Sequence, residues 1–242
     1  MNLLSFDAQN PARRGGVVKR AAHSFVDLAR FAFAARRFRA LATQMRPRAL
    51  PLLRTAWGNI GFTAHLAFLQ AVLDYAGSVS GPILECGSGL TTVLAALAAP
   101  SKPIWSLEHS EEWQQYVQTR LTLAGTDARV LFTPLASFGS FQWYRLPAVL
   151  PRAFPLVICD GPPSLTPGGR YGLMPLLRDR LPKGTVILLD DAQRSSEQAV
   201  LKRWHDEAGW QYTIQRSGAA AYAIVTVADH TGHRSARPRS LL

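Results

Sequence analysis

The sequence has little cysteine, few acidic residues and no long hydrophobic stretch. Two cysteines in 242 residues, Cys86 and Cys159, are too few for a disulfide framework or a zinc site. The longest stretch without a charged residue, 55–73, is interrupted by polar residues and glycines, so it lacks the roughly 18 apolar residues of a membrane span. No apolar block of secretory type follows the first basic residue, Arg13, so we expect no signal peptide and a cytoplasmic protein.

The overall composition is typical of a folded protein. Hydrophobic residues make up 48% of the chain and charged residues 18%, which is too apolar for a disordered chain. The length fits one large domain, or one domain with an appended segment.

Positive charge is concentrated at the two ends of the chain. Residues 1–55 hold eleven basic and two acidic side chains, a net charge of +9, whereas residues 56–229 have a net charge of −1. Residues 230–242 add three arginines. We therefore expect a basic N-terminal helical arm over 1–55, a main domain over 56–229 and a basic flexible tail over 230–242.

The arm is expected to be attracted to an anionic partner, either RNA or an acidic membrane surface, or else to be a solubilising extension without a partner. Residues 23–45 predict a helix rich in Phe, Ala and Arg. A spacing of about 100° per residue scatters Phe25, Phe33, Phe38 and Leu41 around that helix, so no clean lipid-facing stripe is expected.

From about residue 60, short apolar strands alternate with helices. The predicted strands are 81–86, 103–108, 128–133, 154–160, 184–190, 210–215 and 221–227. The predicted helices are 61–76, 90–99, 110–124, 170–181 and 194–208, and 134–152 is expected to be irregular. Apolar strands separated by helices indicate a parallel sheet covered on both faces. The last link is too short for a helical crossover, so the final two strands should be antiparallel.

A glycine-rich turn follows the first strand. Residues 87–92 (GSGLTT) open a helix, which lets backbone approach a ligand at the helix N-terminus. The second strand ends at Glu108, where a carboxylate can accept two hydrogen bonds from a ribose diol. The third glycine of a G-x-G-x-x-G motif would fall at Thr92, so the nicotinamide fingerprint is not met.

Over residues 57–228 the sequence resembles the class I S-adenosylmethionine-dependent methyltransferases, through LECGSGLTT, SLEHS, VICDGPP and GTVILLDDAQR. The resemblance implies an α/β, Rossmann-like, doubly wound sheet of seven strands, mostly parallel with an antiparallel last strand. It also implies S-adenosylmethionine as the cofactor, with Glu85, Gly87 and Gly89 around its methionine part and Glu108 on its ribose. The other candidate cofactor-binding residues are Ser88, Thr91, His109 and Asp160.

Three carboxylates follow the fourth and fifth strands, namely Asp160, Asp190 and Asp191. Ligands of open parallel sheets bind at this edge, and carboxylates brought together there repel one another unless a cation lies among them. A divalent ion such as Mg²⁺ is the simplest cation, and the pattern is similar to that of metal-dependent catechol and caffeoyl-coenzyme A O-methyltransferases. We therefore treat all three as candidate metal ligands.

The acidic cluster also has metal-free interpretations. Asp160 or Asp190 would act as a catalytic general base toward a hydroxyl, or Arg194 would neutralise the cluster. Asp191 would otherwise cap the following helix. Arg170 is expected at an exposed helix start, or in contact with an anionic or sugar substrate.

Methyl transfer is a direct displacement, so no Ser/His/Asp or Cys/His constellation is needed. The expected function is methyl transfer to a hydroxyl of a small molecule or glycan. Two alternatives remain open, an RNA or protein methyltransferase that uses the basic arm and a non-catalytic Rossmann-like binding module.

Overall fold

The structure is a computed structural model that describes residues 25–58 and 63–229. Nine strands lie within these residues: β1 (Ile83–Cys86), β2 (Ile104–Glu108), β3 (Arg129–Phe132), β4 (Leu135–Ser137), β5 (Gln142–Tyr144), β6 (Leu156–Cys159), β7 (Val186–Leu189), β8 (Gln211–Ser217) and β9 (Ala220–Thr226). The α-helices of the same residues are α1 (Phe25–Ala40), α2 (Leu50–Trp57), α3 (Leu66–Ser78), α4 (Leu90–Ala98), α5 (Glu111–Ala124), α6 (Leu173–Leu177) and α7 (Ser195–Ala208).

Seven of these strands form one mixed sheet in the order β3-β2-β1-β6-β7-β9-β8. Six strands share one direction, and the last strand, β9, runs antiparallel to both β7 and β8. The predicted fold class, a doubly wound seven-stranded sheet with an antiparallel last strand, is therefore confirmed. The short link before β9 was the decisive sequence signal, because it cannot carry a helical crossover.

The central strands are buried on both faces, which explains why they are apolar at nearly every position. Alternate residues of each strand enter two separate hydrophobic clusters. On β6, Leu156 and Ile158 face helices α3, α4 and α5, while Val157 and Cys159 face α6, α7 and the β4–β5 hairpin. The sheet is thus the middle layer of three, and its carboxyl edge is free to carry a site.

Helices α1 and α2 pack on the α5 side of the sheet rather than standing apart from it. Phe31 and Phe38 of α1 and Trp57 of α2 are fully buried in the same cluster as the sheet. The Arg120 guanidinium of α5 lies 5.7 Å from the centre of the Phe31 ring and 5.2 Å from that of Trp57. The expected domain boundary at residue 55 therefore falls inside α2. Residues 1–24 of the arm and the tail 230–242 lie outside the described residues.

Three sequence-based expectations about local structure were wrong. The helix expected over 23–45 ends at Ala40 and is followed by a 3₁₀ segment, Thr43–Ala49, that contains Pro47. Residues 134–152, expected to be irregular, contain the β4–β5 hairpin. The helix expected over 170–181 is a short α6, which contains Pro175, between two 3₁₀ turns.

None of the described helices combines the length and the apolar character needed to cross a membrane.

Candidate functional site

Five strands end in a row of residues at the carboxyl edge of the sheet. Cys86 of β1 is in register with Leu107 of β2 and Cys159 of β6, and Cys159 is in register with Leu189 of β7. The next residue along each strand is therefore at the same level, and these residues are Gly87, Glu108, Asp160 and Asp190. Thr133 extends the row beyond β3, because its N–H donates to the Glu108 carbonyl at 2.7 Å. The site residues predicted from separate motifs thus share one edge.

Gly87 makes the closest backbone contact of this row. It has a φ of +87°, and a Cβ placed on it would lie 2.8 Å from the Cα and the N of Gly161. The N–H groups of Asp160 and Gly161 both donate to the Cys86 carbonyl, at 3.0 and 2.6 Å. The loops after β1 and β6 therefore touch through backbone alone, and only glycine fits at position 87.

We expect Gly87→Ala to destabilise the protein by about 2 to 3 kcal/mol, since it adds a strained φ to a backbone clash. Gly89→Ala is the matched control. Gly89 has an extended φ of 177°, and a Cβ there would meet only the Thr91 hydroxyl, at 3.8 Å. Urea unfolding of both variants measures the difference. Equal stability of the two would contradict the close packing of Gly87 on Gly161.

Glu85 lies beneath the glycine turn and is fully buried. Its Oε2 atom accepts hydrogen bonds from the hydroxyls of Thr92, at 2.5 Å, and Ser106, at 2.6 Å. Burial raises the pKa of Glu85 to about 7, and the Oε1 atom receives no hydrogen bond from the described residues. Glu85 thus braces the start of α4, where Thr91 is also buried, and keeps one oxygen available.

Glu108 points into the turn after β1. Its Oε2 atom accepts hydrogen bonds from the N–H of Ser88, at 3.0 Å, and from the Ser88 hydroxyl, at 2.8 Å. Its Oε1 atom accepts from the N–H of Ser110 at 2.9 Å and lies 3.0 Å from His109 Nδ1. The carboxylate is therefore fixed beside the glycine turn, where the spacing of the two strands predicted it.

Tyr144, at the end of β5, is a polar residue of the site that lies in the segment expected to be irregular. The side chain is fully buried, and its hydroxyl has no hydrogen-bond partner among the described residues. A Cβ on Gly161 would collide with this hydroxyl. Burial, with the nearby Glu108 charge, raises the pKa of Tyr144 well above 10. An unused hydroxyl donor therefore lies directly against the row.

The acidic cluster forms as predicted, and its cation belongs to the protein. One carboxylate oxygen from each of Asp160, Asp190 and Asp191 lies within 4.8 Å of the others. The Arg170 guanidinium lies among them, with Nη2 3.2 Å from Asp160 Oδ1 and 3.2 Å from Asp191 Oδ2. Arg170 also donates to the backbone carbonyls of Asp160, at 2.7 Å, and Asp190.

Arg170 is only 2% exposed, so the expectation that it begins a solvent-exposed helix was wrong. Arg194 is a second cation of the cluster, with Nη1 2.8 Å from Asp191 Oδ2. Asp191 does not cap α7, because that helix has no side-chain cap and Asp191 instead adopts a φ of +61°. The interpretation in which Arg194 neutralises part of the cluster agrees with this geometry.

Two carboxyl groups of the cluster, Asp160 and Asp190, are hard to ionise. Burial, and then the neighbouring Asp190, raise the pKa of Asp160 well above its usual value. Burial and Asp191 raise the pKa of Asp190 to about 6. The side chain of Asp160 is 28% exposed, whereas Asp190 is 7% exposed. Asp160 is therefore the member of the cluster that a bound molecule can reach most readily.

The residues of the cluster do not fit a metal centre. Carboxylate oxygens suit Mg²⁺ chemically, but a divalent ion between Asp160 and Asp191 would share its position with the Arg170 guanidinium. Two guanidinium groups already supply the positive charge that three carboxylates need.

The comparisons with solved structures agree with this architecture. An O-methyltransferase from Bacillus cereus in complex with SAH has a TM-score of 0.52 and 15% identity, over 75% of this chain and 90% of that one. The O-methyltransferase TomG from Streptomyces achromogenes, involved in tomaymycin synthesis and in complex with SAM, has a TM-score of 0.52 and 14% identity, over 84% and 89%. A precorrin-6y C5,15-methyltransferase from Geobacter metallireducens has a TM-score of 0.51 and 14% identity, over 69% and 91%.

No family model matches the sequence, and no curated protein matches it. At these identities the likeness concerns the fold, which is that of the class I S-adenosylmethionine-dependent methyltransferases. Two of these proteins are named O-methyltransferases and the third is named a precorrin-6y C5,15-methyltransferase, so the fold by itself does not determine the acceptor.

Proposed function

We propose that the protein is an S-adenosylmethionine-dependent methyltransferase that transfers a methyl group to a hydroxyl of a small molecule or glycan. The observation that carries this proposal is the Glu108 carboxylate held against the Gly87–Gly89 turn, 3.0 Å from the Ser88 nitrogen. A carboxylate at the end of the second strand, beside a glycine turn at a helix N-terminus, suits a ribose diol. Two buried polar atoms that have no hydrogen-bond partner within residues 25–58 and 63–229, Glu85 Oε1 and Tyr144 Oη, support a polar ligand there.

The proposed residues divide into two groups along the row. Glu85, Gly87, Ser88, Gly89 and Thr91 would hold the methionine part, and Glu108 and His109 the ribose side. Asp160 precedes Gly161, and Gly161 packs directly on Gly87. Asp160 would therefore lie at the boundary between the cofactor and the methyl acceptor.

The proposed chemistry needs a proton acceptor near the acceptor hydroxyl. When bound, the cofactor supplies an electrophilic methyl group on a sulfonium. Asp160 or Asp190 would accept the proton of the attacking hydroxyl, and the raised pKa of each brings it closer to neutral pH, where a general base works best. Arg170 would hold Asp160 in place through its 3.2 Å contact.

An open groove beyond Arg170 supports a polar acceptor. It has a volume of about 310 Å³ and lies between the turn after β6 and the first half of α7. Ser164, Thr166 and Ser196 line it together with the charged residues Arg170, Glu197 and Arg203. This chemistry suits a hydroxylated small molecule or sugar better than an apolar one.

Calorimetric titration of the full-length protein with S-adenosylmethionine tests the proposal. Glu108→Ala should weaken binding by about 1.5 to 3 kcal/mol, roughly 10- to 150-fold, the range for a charge-assisted hydrogen bond. Glu112→Ala, an exposed acid in the first turn of α5, is the control and should leave the affinity unchanged. Unchanged affinity in Glu108→Ala would remove the ribose assignment. No binding to the unmodified protein would favour a non-catalytic module.

We further propose that the site works without a metal, because Arg170 and Arg194 supply the positive charge. Millimolar Mg²⁺ should leave the melting temperature and the cofactor affinity the same as in EDTA, since a ligand that binds the folded state stabilises it by mass action. A rise in the melting temperature with Mg²⁺ that disappears in Asp190→Asn would show that the cluster binds the ion.

A further inference from the structure

Helix α1 presents two different faces. Its buried face consists of Phe31, Ala34, Ala35 and Phe38, which join the hydrophobic cluster beside α5. This spacing of three, four and seven residues is that of one helical stripe. The opposite side of the helix therefore does not contribute to the core, and the described residues leave it exposed.

The exposed side carries a second stripe, in which apolar and basic residues alternate. Val26, Arg30, Phe33 and Arg37 recur at intervals of four, three and four residues, which places them on one face of α1. Phe33 is 64% exposed and Val26 is 53% exposed. We call Val26, Arg30, Phe33, Arg36 and Arg37 the outer α1 face. Both an aromatic and an aliphatic side chain are left in water there.

The arginines of this region fall into two groups by their contacts. Arg39, Arg46 and Arg54 donate to the backbone carbonyls of other segments, and so hold the helices in place. Arg36 and Arg37 form no ion pair or side-chain hydrogen bond with any described residue, and Arg30 lies 3.8 Å from Asp27. The outer α1 face thus has positive charge that the described part of the chain does not neutralise.

We propose that the outer α1 face docks on an anionic membrane surface. Arginines on a helix attract anionic lipid headgroups, and apolar residues between them enter the boundary of the acyl chains. The long arginine side chains reach the headgroups while Phe33 and Val26 lie deeper. A nucleic acid would also attract the arginines, but it offers no apolar environment for Val26. Four basic residues of the preceding segment, Arg13, Arg14, Lys19 and Arg20, add charge of the same sign.

The docking is independent of the proposed methyl transfer. Its residues lie on the exposed side of α1, and none of them is one of the proposed cofactor-binding or catalytic residues. The buried face of α1 fixes the orientation of the helix on the domain. The inference therefore survives if the protein proves to bind no cofactor.

Co-sedimentation of the full-length protein with vesicles tests the proposal. The protein should bind phosphatidylcholine vesicles that contain phosphatidylserine and should bind pure phosphatidylcholine far more weakly. The double variant Arg36→Gln, Arg37→Gln should weaken binding about 25-fold, roughly fivefold for each arginine near the surface. Phe33→Ser should weaken it about tenfold, because an apolar side chain is lost.

A matched control removes the same charge from the main domain. Arg152 and Arg216 are exposed and form no ion pair with a described residue, so Arg152→Gln, Arg216→Gln should bind vesicles like the unmodified protein. All variants change exposed positions, and equal melting temperatures verify their folding. An equal loss in the control pair would overturn the proposal. The proposal would also be overturned if the protein does not bind vesicles but binds single-stranded RNA, and if that binding depends on Arg36 and Arg37. RNA would then be the partner.

Discussion

Arg170→Met should lower the free energy of unfolding by about 3 to 5 kcal/mol at pH 8, the cost of removing one partner from a buried ion pair. The guanidinium is 2% exposed and contacts the carboxylates of Asp160 and Asp191 at 3.2 Å each. Methionine keeps much of the volume but removes the buried guanidinium that lies between Asp160 and Asp191. Urea unfolding at pH 8 measures the loss.

Arg194→Met is the matched control. Arg194 pairs with the same Asp191 at 2.8 Å, but its side chain is 38% exposed, so water screens the charge that its removal leaves. We expect a loss of no more than about 1 kcal/mol, as is usual for exposed ion pairs. A loss in Arg170→Met that is no greater than in Arg194→Met would contradict the role of Arg170 as the central cation.

The loss in Arg170→Met should shrink as the pH falls. Burial and the neighbouring carboxylate already raise the pKa of Asp190 from 3.8 to about 6. A carboxyl group whose pKa is raised by folding favours the folded state below its unfolded pKa, and this contribution is lost as the pH rises through the folded pKa. Without the guanidinium these pKa values rise further, so protonation between pH 8 and pH 5 relieves the repulsion. A deficit that grows over this interval would contradict the argument.

The order of the sheet and the position of its edge could be predicted because both depend on local signals. Apolar runs separated by helices define a parallel sheet, and the link 216–220 is too short for a crossover. Residues that follow strands in such a sheet must meet at one edge. Glu108 and Asp160 were therefore predicted at the site although 52 positions separate them in the numbering.

The cation of the acidic cluster could not be identified in this way. Arg170 is buried because Asp160 from one strand end and Asp191 from another meet around it, and this convergence exists only in the folded chain. An arginine after two glycines has the sequence features of a solvent-exposed turn. The one available signal was the unbalanced charge of the cluster, which required some cation without naming it.

The buried face of α1 was present in the sequence as a pattern of small residues. Ala34 and Ala35 lie between Phe31 and Phe38 and let α1 approach α5 closely. A helical projection that includes only the largest side chains misses such a stripe. The β4–β5 hairpin has strands of three residues each, which is too short to show an alternating pattern.

Asp160→Asn should reduce methyl transfer by about 10² to 10⁴-fold, the contribution of a general base, while changing the affinity for S-adenosylmethionine little. Asparagine keeps an oxygen that can accept the hydrogen bond from Arg170 Nη2, but it cannot accept the proton of a hydroxyl. The measurement uses acceptors found by screening hydroxylated small molecules and glycans for transfer of a labelled methyl group. Cofactor affinity is measured separately by calorimetry.

The pH profile distinguishes a proton acceptor from a merely structural residue. Because the pKa of Asp160 is raised by burial and by Asp190, activity of the unmodified protein should fall with decreasing pH well above the usual range for a carboxyl group. In Asp160→Asn the residual activity should lack this acidic limb. Asp127→Asn changes an exposed position before β3 and is the control. This variant should keep both the rate of methyl transfer and the fall in activity at low pH. Full activity in Asp160→Asn combined with loss in Asp190→Asn would assign proton transfer to Asp190, because its pKa of about 6 also suits a base near neutral pH.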